Sequence, residues 1–190
     1  MKVVDSATRP FERALAAIRV IHSRPEFVVD EVPAPQRLAP HAYALTAESC
    51  DDSEAISGRF VLLHDPDGID EWEGTFRVVI FMQVQPESDM VTDELMTDVA
   101  WSWLLEAIHP LEFRQLGGTV TKSLGQSFGT MADRQPQGIV EIRASWTPED
   151  LGTPESVSSH FQAWLRLLEL GAGLNPLPEG VATVHQRRRG

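Results

Sequence analysis

Gly125-Gln126-Ser127-Phe128-Gly129 carries the Gly-x-Ser-x-Gly pattern of a nucleophile elbow. In that motif a strained strand-to-helix turn lifts the serine hydroxyl beside backbone N–H donors, a histidine takes its proton and an acid orients the histidine. Asp133 or Asp150 can supply the acid, and His160 or His185 the base. The surroundings argue against this chemistry. Thr130 to Gln137 contains Pro136 and leads toward another strand, where the motif requires a helix. His160 falls early in a helix and His185 in a C-terminal tail. Hairpin glycines beside a polar strand account for the same letters. No catalytic residue is expected, and a serine hydrolase using Ser127 ranks third among the readings.

The densest acidic stretch is His64-Asp-Pro-Asp-Gly-Ile-Asp-Glu-Trp-Glu73. Asp65, Asp67, Asp70, Glu71 and Glu73 offer oxygen ligands of the kind calcium and magnesium take. A calcium loop alternates its ligands before a glycine at its sixth position, whereas here Gly68 follows Asp67 at once. Asp-Pro-Asp-Gly is a tight-turn sequence, so a turn with solvated carboxylates is expected. The histidines (22, 41, 64, 109, 160 and 185) show no His-x-x-x-His spacing, and Cys50 is the only cysteine. Neither metal nor cofactor is expected. His41 and His64 can meet only if their strands are neighbours.

Other side chains suit recognition better than reaction. Trp72 follows a run of acids at a strand entry, and Arg77 and Arg143 fall at polar-face positions of two strands. Tryptophan and arginine dominate interface hot spots. With Glu141, the two arginines either line a shallow polar groove or form weak cross-strand pairs. Trp101 extends the apolar arc of a helix and joins Trp72, Arg77 and Arg143 as an interaction candidate. An apolar pocket between sheet and helix is the alternative, lined by Phe76, Ile80, Trp103 and Trp146.

Thr8 caps a helix whose face carries Phe11, Leu15 and Ile18, and Pro25 closes it. Phe27–Val32 is extended. Pro33 to Pro40 holds three prolines and forms a stiff crossover. Strands follow over 42–47, 56–64 and 75–85, with a polar turn over 48–54. In the last of these strands Phe76, Val78, Ile80, Met82 and Val84 mark one face, while Val79 and Phe81 interrupt the polar one, so the middle of this strand is expected to be covered on both sides. Asp93 caps a helix that runs through about Ile108, with a narrow polar stripe of Asp98, Ser102 and Glu106. Such a helix is buried on more than one side or meets another subunit. Strands over 117–128 and 138–147 precede a last helix, capped by Thr153 and striped by Val157, Phe161, Trp164, Leu165 and Leu168. The order α-β-β-β-β-α-β-β-α predicts an α+β fold with a mostly antiparallel sheet of about six strands and three helices. One domain is expected over 1–174, followed by a tail over 175–190 that ends in Arg187, Arg188 and Arg189.

The chain has 190 residues, with 16 lysines and arginines against 28 aspartates and glutamates, a net charge of −12. Such a charge, with one short basic cluster, argues against nucleic acid as a partner. The length suffices for a self-supporting core. A lone cysteine and the lack of a leader or a long apolar run predict a cytoplasmic protein without membrane attachment.

Several strings resemble an actinobacterial family of unknown function, number three thousand among the domains of that kind. They are Phe11-Glu-Arg-Ala-Leu15, Val32-Pro-Ala-Pro-Gln-Arg-Leu-Ala-Pro40, Trp72-Glu-Gly-Thr-Phe-Arg77, Gly117-Gly-Thr-Val-Thr121, Glu141-Ile-Arg-Ala-Ser-Trp-Thr-Pro148 and Leu177-Pro-Glu-Gly180. They span nearly the whole chain, and the resemblance implies no activity and no catalytic residues. The element order is also similar to that of secretion-chaperone-like proteins, which are small, acidic and often dimeric, though here one N-terminal strand is added. The resulting expectation is a non-enzymatic protein-binding adaptor or chaperone-like protein with an unidentified protein partner, forming a homodimer. The alternative is a small-molecule binder.

Overall fold

The computed structural model describes residues 9–50, 56–149 and 154–175. Helix α1 (Arg9–Arg19) is followed by strands β1 (Phe27–Val32), β2 (His41–Ser49), β3 (Ile56–Ile69) and β4 (Gly74–Val84). Then come α2 (Ser88–Thr92), α3 (Met96–Ile108), β5 (Phe113–Gly125), β6 (Gln137–Pro148) and α4 (Pro154–Gly171). The strands form one six-stranded sheet in the order β1-β2-β3-β4-β6-β5, with every neighbouring pair antiparallel. The α+β class is as expected. Four helices are present among the described residues where three are predicted, because the chain makes the short turn of α2 before α3. The expected cap residue, Asp93, stands between them and accepts the Leu95 N–H on Oδ1 at 2.9 Å.

Alternation sorts the strands into two faces. Phe76, Val78, Ile80, Met82 and Val84 of β4 join Val140, Ile142, Ala144 and Trp146 of β6 in the main core. The helices close this face. α4 lies against β3, β4 and β6 between α1 and α3, and its stripe of Val157, Phe161, Trp164, Leu165 and Leu168 is buried. Helix α3 buries Met96, Ala100, Leu104, Ala107 and Ile108, and half-buries Trp101 and Trp103 against the same core. It meets α4 on one side and β5 on the other, while Val99 and Leu105 of its apolar arc stay exposed.

The described helices leave the opposite face of the sheet uncovered. A small second cluster, Ala44, Val61 and Leu63, forms there under Ala34 and Ala39 of the proline-rich connector and under Trp72. The connector is therefore a partial cover as well as a crossover.

Three boundaries differ from the sequence reading. β3 runs on through Asp-Pro-Asp-Gly to Ile69, with a register irregularity between His64 and Ile69, and the chain reverses only at 70–73. Gly68, at φ +77°, serves this bulge, and Glu73, at φ 53°, closes the reversal. β5 begins at Phe113 instead of Gly117, because a bulge at Gln115, φ 49°, lets pairing with β6 continue past the two glycines. It ends at Gly125, short of Phe128. The Thr8 and Thr153 caps, much of the turn over 48–54 and the basic tail lie outside the described residues. Among the described residues no helix is long and apolar enough to cross a membrane.

Candidate functional site

On the uncovered face, strand pairing sets residues in rows across the sheet. Arg59 of β3 stands opposite Phe81 of β4, Phe81 opposite Arg143 of β6, and Arg143 opposite Thr119 of β5. In the adjacent row Val61 faces Val79, Val79 faces Ser145 and Ser145 faces Gly117. The result is a shallow groove of about 330 Å³ with a floor of Val61, Val79 and Phe81 and with Arg59 and Arg143 on its rim. Gly117 contributes by what it lacks: a Cβ built there meets nothing within 4 Å.

The arginines on this face have different surroundings. Arg143 pairs with Glu141 at 2.7 Å and holds its guanidinium 5.4 Å from the Phe81 ring centroid. Arg114, beside the lower end of the face, pairs with Glu149. Exposed Arg59 donates to the Pro33 carbonyl at 3.1 Å. Half-buried Arg77 donates to Thr147 Oγ1 at 3.0 Å and to Ser145 Oγ at 2.8 Å. Thr147 in turn donates its hydroxyl to the Trp72 carbonyl at 2.5 Å. Burial holds the Arg77 pKa below the ordinary arginine value, since both its partners are neutral. Neither Arg59 nor Arg77 makes an ion pair among the described residues.

Arg77 and Arg143 thus share one face as the alternation of their strands predicts, and Trp72 covers the end of that face beside them. Trp101 lies on the other side of the sheet, its ring packed at Gly118. The pocket candidates are also on that side: Phe76, Ile80 and Trp146 are core side chains at 4%, 2% and 0% exposure, and Trp103 is half-buried against them. Of these four, only Ile80 borders the groove. Arg59, Val61 and Gly117 were not singled out as site residues by the sequence, and Val79 and Phe81, expected to be covered on both sides, instead form the groove floor because the described helices all pack on the other face. The alternation in β3 carries the signal for Arg59 and Val61, but only the placement of the helices tells which face stays open.

The remaining motifs are placed as follows. Ser127 lines a cavity of about 530 Å³ with Gly125, Gln126, Arg134, Gln135 and Gln137, and no histidine borders it. A short turn at Gly129–Met131 and then β6 follow, so the strand-to-helix context of an elbow is missing. His160 is in the core, where its Nδ1 accepts the Trp146 Nε1–H at 2.9 Å, and His185 lies outside the described residues. His41 and His64 are register partners with ring centroids 5.7 Å apart, and His64 stacks on Phe11 and Phe76. His64 Nδ1 donates to the Thr75 carbonyl at 2.9 Å. Among the described residues no three His, Cys, Asp or Glu side chains gather as metal ligands. A second cleft of about 300 Å³ beside α1 holds Arg19, which already has Glu31 at 3.5 Å and stands over the Tyr43 ring.

These features define an α+β protein with an open antiparallel sheet, helices packed on one face and an arginine-rimmed groove on the other. The family described as a protein of unknown function (DUF3000) matches residues 7–182, and the chain belongs to that family. Neither a curated protein nor a solved structure matches the chain.

Proposed function

We propose that this chain is a non-enzymatic adaptor that receives a segment of a partner protein in the groove on the uncovered face of its sheet. The observation that carries this reading is an apolar floor of Val61, Val79 and Phe81 left open among arginines, while the connector and Trp72 cover the neighbouring part of the same face. An apolar centre with aromatic and arginine side chains is the composition of protein interfaces. The shallow form suits a segment laid across strands, whereas small molecules are mostly enclosed. The positive rim in a chain of net charge −12 selects a partner of opposite charge at this face.

Gly117→Leu tests the reading, because the new side chain enters open space and fills the groove without touching the core. Capture from a cell lysate is compared quantitatively between the wild-type chain and this variant. Proteins retained by the wild type are expected to fall at least about tenfold with the variant, the loss of roughly one well-packed anchor contact. Equal capture by both chains places the binding surface elsewhere.

A further inference from the structure

We propose that Arg77 is the receptor for a carboxylate of the partner segment, so that the groove takes an extended acidic segment whose apolar side chain rests on Val79 and Phe81. This rests on the adaptor reading and adds the chemistry of the occupant. Three observations point to it. Arg77 has its NH2 group on Ser145 Oγ, and Ser145 is itself a groove residue, so the guanidinium stands at the groove's end. Its two partners are hydroxyls, which orient the planar head without neutralising it, and the remaining N–H donors have no protein acceptor among the described residues. Arg24, another poorly exposed arginine, by contrast has a counter-charge, Glu26 at 2.8 Å.

A half-buried guanidinium without a counter-charge bears a desolvation cost that an arriving carboxylate offsets. The planar fork matches a carboxylate with two parallel hydrogen bonds, a geometry a lysine cannot give. Arg59 supplies a second cation across the floor, also without an ion pair among the described residues. Glu141 is already engaged by Arg143. A basic segment would meet Arg59, Arg77 and Arg143 as like charges, so the face discriminates by repulsion as well as attraction.

The test uses a fluorescently labelled short peptide alternating glutamate with phenylalanine and leucine, beside the same peptide with glutamine for glutamate. Binding to the whole chain is followed by anisotropy. The glutamate peptide is expected to bind about tenfold more tightly, the size of one charge-assisted bidentate pair, with the advantage shrinking as salt is raised. Arg77→Gln is expected to bring the two peptides level, and Arg77→Lys to leave a reduced preference. Arg59→Gln, at an exposed position, gives a smaller loss and keeps the test open if Arg77→Gln folds poorly by circular dichroism. Equal binding of the two peptides, binding of neither, or an unchanged preference in Arg77→Gln overturns the assignment. If the two peptides bind equally, or Arg77→Gln keeps the preference, and Gly117→Leu abolishes that binding, the groove reading stands without the carboxylate. A dimer by light scattering that Gly117→Leu converts to monomer makes the occupant a second copy of the chain and likewise overturns it.

Discussion

Gly118→Ala is expected to destabilise the fold by about 3 kcal/mol, while the same change one residue earlier, Gly117→Ala, leaves stability within about 0.5 kcal/mol or raises it slightly. The two glycines face opposite sides of the sheet. A Cβ at Gly118 would lie 2.4 Å from the Arg143 carbonyl oxygen, 2.9 Å from Ala144 Cβ and 2.9 Å from Trp101 Cζ3. The first neighbour is backbone of a paired strand and cannot retreat without disturbing the β5–β6 ladder. The third is the ring through which α3 packs on β5. At Gly117 nothing lies within 4 Å, and alanine there restricts the unfolded chain without straining the folded one. Urea unfolding of the two variants and the wild type measures the difference. Equal midpoints for both alanine variants would show that α3 does not pack at this point of β5.

The second large effect is in acid. His160 is 2% exposed, and burial lowers its pKa from the ordinary 6.5 to about 4. Its Nδ1 is occupied as an acceptor by the Trp146 N–H, so the neutral ring carries its proton on Nε2. As pH falls through 6.5 the unfolded chain takes up a proton at this histidine, and the folded chain does not until about pH 4. Between those values the unfolded state binds more protons, and stability falls with pH. The stability is fully present above about 6.5, and the total loss from this group is about 3 kcal/mol. His160→Asn sets an amide oxygen near the Nδ1 position and cannot titrate. The variant is expected to be less stable at pH 7 but to lose about 3 kcal/mol less than the wild type between pH 7 and pH 4. Parallel stability–pH curves for the two chains would falsify the assignment of a neutral buried histidine.

Strands were readable where one face is dry. The alternation of Val140, Ile142, Ala144 and Trp146, and of Phe76 to Val84, marks buried positions that the structure confirms. Helix stripes were equally plain: Val157, Phe161, Trp164, Leu165 and Leu168 all go inward. Boundaries failed where backbone conformation overrode residue preference. Asp-Pro-Asp-Gly reads as a turn but lies within a bulged strand, because pairing with β4 resumes at Ile69. Gly117-Gly118 reads as a strand opening but lies inside β5, where one glycine makes room for Trp101 and the other leaves the groove floor open. The site was half-visible. Arg77 and Arg143 stand out as arginines on strand polar faces, whereas Arg59 and the floor acquire meaning only when β3, β4 and β6 are known to be neighbours. That adjacency is non-local: β6 enters the sheet between β4 and β5, and no local pattern announces it.

The position of β6 bears on how the molecule is made. Among the described residues β5 has no sheet neighbour except β6, and β6 is the last of the described strands to leave the ribosome. A nascent chain that has reached residue 136 therefore carries β5 with nothing to pair with and β4 with one edge bare, and must remain so until twelve more residues emerge. Premature termination anywhere before Pro148 removes part of the strand that joins β5 to the rest of the sheet, so a short nonsense fragment is expected to be cleared by proteases and not to accumulate as a smaller folded product.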